Sequence, residues 1–311
     1  MNTFVIINPR AGSGRTGRRW PEISNRLARG IGPFDHAFTT GNGDATRLAS
    51  TALDRGANLI IAVGGDGTVS EVVNGFMDDG ANVREGCAFA AISAGTGADF
   101  ARSLATRNDG HDAVADIASG KERRIDLGRV TYTNNDGKTA RRLFINIASM
   151  GLSGEVDRAV NAERMTGLLP GKAAYYIATL GALLRHRSKM LRLVIDEREE
   201  LTVDTTMAAI ANGQYFGGGM RVAPYASLHS GEFEIIILRG GSKLTLIKDM
   251  TQVYRGAHMD HPMIIARTGR HVTAEVVDDR GGKVPLDIDG ESPGYLKATF
   301  EILPGALTLR Q

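Results

Sequence analysis

Three times in its first hundred residues the chain repeats one arrangement: a short apolar run, a glycine-rich loop, then a helical pattern. FVIIN leads into NPRAGSGRTG, LIIAV into GGDGT, and CAFAAIS into AGTGAD. Apolar runs this short, punctuated by glycine and alternating with helices, are strands of a parallel sheet covered on both faces. A helical stretch around Arg18 to Arg29, a short strand near Ala37 to Thr39 and a helix from Ala45 to Arg55 fill the interval between the first two repeats. Loops that follow parallel strands open on one edge of the sheet, where ligands bind. Glycine lets backbone N–H groups come close to a ligand, and helix N-termini add unpaired donors and the positive end of a dipole. Three such loops on one edge point to an anion pocket.

Beyond about Ile125 the texture changes. DLGRVTY, LFINIAS, LRLVID, LTVDTTMAAIAN, FEIIIL, HVTAEVV and LKATFEIL read as strands, several with period-two alternation. Helical segments at Val156 to Arg187 and about Leu244 to Arg255 interrupt them. The expected fold is an α/β N-terminal domain with a parallel sheet over 1–125, joined to a mostly antiparallel β domain over 126–299. Residues from about 300 to 311 return to the first domain.

Composition narrows the function. At 311 residues the chain can hold two domains. A net charge of +2 supplies no bulk field for nucleic acid. The one cysteine, Cys87, lies in an apolar run, which excludes a disulfide framework and a cysteine zinc site and suits a reducing cytoplasm. The N-terminus lacks the basic start and long apolar run of a signal peptide. The longest apolar stretch, within Ala173 to Leu184, falls short of the roughly twenty residues of a membrane span. It runs on to Arg185, Arg187, Lys189 and Arg192. One reading is a lipid-facing helix with a basic end for anionic headgroups. The other, which weighs more, is a core helix whose basic end complements its own dipole.

The first loop spells GxGxxG through Gly12, Gly14 and Gly17, but the next strand ends in AFTTGNGD, without the acidic residue a dinucleotide needs. It fails as a Walker A motif, because Arg18 and Arg19 stand where Lys and Ser or Thr are required. In GGDGT, a capping box of Thr68 and Glu71 frees Asp66 from helix capping. Asp66 is then available to meet Mg²⁺ or to accept a hydrogen bond from a hydroxyl. Asp99 divides evenly between capping the helix near Phe100 and function. The plain reading of Asp126 is a salt bridge to Arg123 or Arg124.

In combination these motifs resemble the diacylglycerol kinase catalytic-domain family, lipid kinases that include bacterial diacylglycerol-kinase-like enzymes and sphingosine kinases. NPRAGSGR, TTGNGDATRLA, GGDGTVSEVVNG, AGTGADFAR, RIDLG, FINIASMG, ANGQYFGGGM and DIDGE carry the resemblance over almost the full length. It implies an active site in the cleft between the two domains and phosphoryl transfer there from ATP, with Mg²⁺, to a lipid hydroxyl, most simply that of diacylglycerol or a related glycerolipid. It further implies a cytoplasmic enzyme of phospholipid biosynthesis that touches the membrane surface. By the resemblance, Asn8, Thr39, Gly64, Gly65, Asp66, Gly67, Thr68, Gly95, Thr96 and Asp99 line the nucleotide. Asp289 of Asp289-Gly290-Glu291 is the general base, with Glu291 and Asp66 assisting, and neighbouring carboxylates raise its pKa. Asp126 and Arg15 support the site. Asp287, two residues before Asp289, shares its strand face and is the rival base.

Two positions depart from the family pattern. Ala98 precedes Asp99 where an asparagine is usual, removing a polar contact and bearing on nucleotide preference. Ser230 precedes Gly231 where an aspartate often helps bind a structural Mg²⁺. A site built around Ser227, Ser230 and Glu232 is therefore expected to be weak or absent, whereas the ion carried by ATP is still expected. Rival readings are an NAD kinase, which shares the GGDGT loop, a silent nucleotide- or lipid-binding module, and an NAD-dependent dehydrogenase resting on GxGxxG alone. Exposed edge strands leave a homodimer open.

Overall fold

The computed structural model describes residues 2–79, 82–93, 98–104, 112–156, 181–182, 185–242, 252–277 and 282–311. A single sheet runs through both halves of the chain. In the first half β1 (Thr3–Ile7), β2 (Asp35–Phe38), β3 (Leu59–Gly64) and β4 (Ala88–Ser93) pair in parallel, in the order β2-β1-β3-β4. Helices α1 (Arg15–Ile31), α2 (Asp44–Asp54), α3 (Asp66–Asn74), α4 (Asp99–Leu104) and α5 (Ala113–Ser119) follow the strands. The apolar runs are explained by what each strand face meets. Leu59, Ile61 and Val63 of β3 pack with Trp20, Ile23 and Leu27 of α1. Ile60 and Ala62 pack on the opposite face with Val69, Val72, Val73 and Phe76, which begin on α3. Each buried Val, Leu, Ile or Phe among them contributes about 1.5–3 kcal/mol by leaving water.

The second half comprises β5 (Glu122–Asn134), β6 (Thr139–Phe144), β7 (Ile147–Gly151), β8 (Lys189–Ile195), β9 (Glu199–Ala211), β10 (Phe233–Arg239), β11 (Ile264–Gly269), β12 (His271–Val276), β13 (Leu286–Ile288) and β14 (Gly294–Arg310). Its strands pair with one another antiparallel. The fold is thus a parallel α/β half and a mostly antiparallel β half. The two share strands. Arg124, where the composition changes, lies inside β5, and β14 pairs antiparallel with β5 along most of its length. Near its end β14 also runs parallel to β4, at Thr308 and Leu309.

LFINIAS, which reads as one strand, is broken at Ile145 and Asn146 between β6 and β7. The sequence reading passes over α5, β11 and β13. β13 has three residues, too few for alternation to register. The helical segments expected at Val156 to Arg187 and Leu244 to Arg255, with the apolar run Ala173 to Leu184, lie largely outside the described residues. No described helix is long and apolar enough to cross a membrane.

Candidate active site

β3 ends at Gly64 and α3 begins at Asp66, so Gly65 alone makes the turn. A Cβ on Gly64 would lie 2.4 Å from Thr68 Oγ1, so the helix folds back on the strand end only because Gly64 has none. Thr68 is buried, and its hydroxyl accepts from Asn8 Nδ2 at 3.1 Å. Asn8 Oδ1 in turn accepts the Arg10 N–H at 3.0 Å. This ties the loop after β1 to the loop after β3. Gly12, Ser13 and Gly14 continue the first loop with φ of 60°, 57° and 79°, and Arg15 Nε donates to Gly12 O at 3.2 Å. Thr39 joins the same edge through its N–H, which donates to Ile7 O at 2.8 Å. Gly67 is exposed in the first turn of α3, and a Cβ there would meet nothing within 4 Å.

The expected capping box is not formed. Thr68 lies inside α3 rather than at its cap, and Glu71 Oε2 accepts the Ala45 N–H of α2 at 3.1 Å. The glutamate serves the neighbouring helix because α2 packs against α3 and brings its first turn within reach. Asp66 is also partly occupied: its Oδ1 accepts the Phe100 N–H of α4 at 3.1 Å. Asp66 thus caps α4, the capping role that the sequence reading weighed for Asp99. Asp99 instead accepts from Arg102 Nη1 at 2.7 Å and from the Gly218 N–H at 2.8 Å. It is buried, and burial first, then the charge of Asp66, raises its pKa.

Asp126 makes no salt bridge to Arg123 or Arg124. Its two oxygens accept the N–H groups of Gly305 and Gly231, each at 2.7 Å, and it is 3% exposed. Both glycines have positive φ, 54° and 70°, so Asp126 fastens two turns to β5 at the junction of the halves.

Asp289 follows β13 in a left-handed turn, with φ of 50° and 86° at Asp289 and Gly290. Its carboxylate accepts three successive N–H groups, from Ile145 at 2.9 Å and from Asn146 and Ile147 at 3.1 Å each. Those are the residues at the break between β6 and β7, and they turn to Asp289 instead of continuing one strand. Burial pushes Asp289 up to about 6, against the pull of the three amides and of Arg142. Burial, rather than neighbouring carboxylates, raises this acid, because Glu291 is neutralised: its Oε2 accepts from Arg142 Nη1 at 2.7 Å. Asp287 faces elsewhere. It is 2% exposed and accepts from the Gly290 N–H at 2.9 Å and the Ser149 hydroxyl at 3.1 Å.

Comparison with known proteins places this geometry. Residues 2–130 match the diacylglycerol kinase catalytic domain, and residues 146–311 match the YegS C-terminal NAD kinase beta sandwich-like domain. A diacylglycerol kinase of Bacillus subtilis is 31% identical over 299 residues, covering 95% of this chain and 91% of that one. The chain belongs to the diacylglycerol kinase family. A second relative, a diacylglycerol kinase of Mycobacterium tuberculosis, is 29% identical over 85% of this chain and 80% of its own. A crystal structure of a diacylglycerol kinase from Bacillus anthracis, 21% identical, has the same fold, with a TM-score of 0.72 over 99% of this chain and 96% of that one.

Nothing in the structure explains the alanine at one departure from the lipid-kinase family pattern: Ala98 has a φ of 54°, a left-handed conformation that asparagine tolerates better and that costs alanine roughly 1–2 kcal/mol. Its carbonyl accepts the Arg102 N–H at 3.0 Å, so it sits at the head of α4. The Ser230 hydroxyl is kept within its own turn, where Ser227 O at 3.0 Å and Glu232 O at 2.8 Å are both in reach of its one proton. Among the described residues no three His, Cys, Asp or Glu side chains form a metal-holding group. Gly95 and Thr96 lie outside the described residues.

Two residues that the sequence reading never singled out join the halves. Asn74 of α3 is hydrogen-bonded to both backbone groups of Leu143 on β6. Arg142 on β6 reaches Glu291 and lies 3.4 Å from Ser70 Oγ of α3. The only signal for Arg142 was the RR pair before LF. Leu143 and Phe144 are both buried, so alternation does not say which arginine points inward.

Proposed function

We propose that the protein is an ATP-dependent lipid kinase that phosphorylates a lipid hydroxyl, that of diacylglycerol or a related glycerolipid. The observation that carries the reading is the Asp289 carboxylate, held by three amides, with Arg142 linking its turn to the helix of the GGDGT loop. The donor set fits a phosphate chain: exposed Gly67 opens the first turn of α3, where unpaired N–H groups and the positive dipole end lie. Asn8, Thr39 and the loop through Arg15 flank it, and Gly64, Gly65 and Thr68 shape it. Mg²⁺, carried chiefly by the phosphates, would supply charge neutralisation during transfer.

Asp289 takes the proton of the acceptor hydroxyl as that oxygen bonds to the γ-phosphorus, the bond to the bridging oxygen breaks and ADP leaves. A base with a pKa of about 6 is ionised at neutral pH and still basic enough to accept a proton. Glu291 holds Arg142 in place, and Asp66 and Asp99 order the head of α4 and the Gly218 loop beside the nucleotide site. The lipid reaches the site from a membrane surface on which the protein docks peripherally.

The test is transfer of labelled γ-phosphate from Mg-ATP to a total lipid extract in detergent, with Asp289→Asn as control. Organic-soluble label that vanishes in the variant supports the reading. Label found instead in NAD in the aqueous phase would replace it with an NAD kinase. Bound ATP with no product in either phase would leave a binding module.

A further inference from the structure

Among the described residues, Arg142 is the cation that touches both sides of this site. Its side chain is 15% exposed and its partner Glu291 is 37% exposed. Nη1 donates to Glu291 Oε2 at 2.7 Å, Nη2 lies 3.4 Å from Ser70 Oγ, and the buried Nε finds no partner among the described residues. Three residues further along the chain begin the amides that hold Asp289. A guanidinium this enclosed is kept only where it is paired, since losing its partner leaves a buried charge. Burial works against its charge, but Glu291 and Asp289 together leave its pKa raised.

We propose that Arg142 is a positioning residue for phosphoryl transfer, forming with Glu291 a charge pair that keeps the Asp289 carboxylate ionised and level with the helix of the GGDGT loop. The proposal rests on Asp289 being the base. Among the described residues the charged and titratable groups around Asp289 are few: β6 brings Arg142, the turn brings Glu291 and, turned away to Ser149, Asp287, β5 brings Tyr132 against Arg142, and α3 brings the neutral Ser70. Arg142 is the one positive group in this set.

The pair therefore makes opposite predictions for its two members. Arg142→Met leaves two carboxylates close together with no cation, and Asp289 then holds its proton to higher pH. Glu291→Gln frees the whole charge of Arg142 to act on Asp289, which then loses its proton at lower pH. A role confined to packing would weaken either variant without moving the titration in opposite directions.

The experiment is a carboxyl ¹³C NMR titration of the whole protein without nucleotide. The Asp289 resonance is assigned by its disappearance in Asp289→Asn. The midpoint is expected to rise by about one pH unit in Arg142→Met and to fall in Glu291→Gln, with Arg142→Lys near the wild type. The acid limb of single-turnover phosphorylation of dioleoylglycerol micelles is expected to shift with it. Folded variants that titrate like the wild type overturn the proposal. Should Arg142→Met not fold, Glu291→Gln decides alone, and an unmoved midpoint there is equally fatal. Asp289→Asn separates the two claims. Full activity in that variant removes the base itself, whereas lost activity with unmoved midpoints removes only the role of Arg142.

Discussion

Asn74 completes both backbone hydrogen bonds of Leu143: its Oδ1 accepts the Leu143 N–H at 2.9 Å, and its Nδ2 donates to the Leu143 carbonyl at 3.0 Å. One side chain on the helix behind the GGDGT loop thus substitutes for a neighbouring strand along β6. The nucleotide-side helix and the residues that hold Asp289 are built as one unit. Asn74→Ala leaves two buried backbone groups unpaired, at about 1–3 kcal/mol each. A loss of roughly 2–6 kcal/mol in unfolding free energy is expected, seen as a lower urea midpoint at unchanged m.

Asp289→Asn is expected to lower turnover by about 10²–10⁴-fold while calorimetric ATP affinity stays within a few-fold of the wild type. The base must be ionised to act, so wild-type turnover is lost as pH falls through about 6, the Asp289 value. Below that the rate should drop tenfold per pH unit. Turnover that is flat from pH 7 to 5 would count against Asp289.

Two of the three glycines of the GGDGT loop, Gly64 and Gly67, should behave differently. Gly64→Ala forces a Cβ against Thr68 Oγ1, disturbs the Asn8–Thr68 bond and lowers the melting temperature. Gly67→Ala meets nothing within 4 Å, so stability holds or rises. ATP affinity should fall for both, which for Gly67→Ala reports on the ligand alone. Calorimetric titration with ATP, read beside thermal melts, checks this.

Ala98→Gly should stabilise the protein by about 1 kcal/mol, because alanine in the left-handed region costs roughly 1–2 kcal/mol and glycine nearly nothing. Ala98→Asn should gain a comparable amount, since asparagine tolerates that conformation. Thermal melts that fall in both variants would contradict the strain argument.

The parallel half was legible because its signals are local. Leu59 to Val63 is an unbroken apolar run because α1 covers one face and α3 the other. Gly64 marks the strand end because Thr68 leaves no room for a side chain. The glycine loops brought Asp66 and Asp99 into view, and the family motif brought Asp289. Their partners were not legible. LFINIAS has the composition of one strand, and nothing local shows that its middle amides turn to a carboxylate more than a hundred positions away.

Short-range physics therefore settled the alternation of strands and helices from β1 to α4, the glycine turn after β3 and the shared edge at which β1, β3 and β4 end. Tertiary structure decided what each charged side chain does. Asp66 caps α4 and not α3, Glu71 caps α2, and Asp126 fastens Gly231 and Gly305 in place of an arginine. Arg142 neutralises Glu291, so burial is left as the cause of the raised Asp289. The reason is physical. Strand and helix patterns come from neighbours a few residues apart, whereas a carboxylate is satisfied by whichever donors the packed chain brings within 3 Å, as with Asp126 and Gly305 at 2.7 Å across 179 residues of sequence.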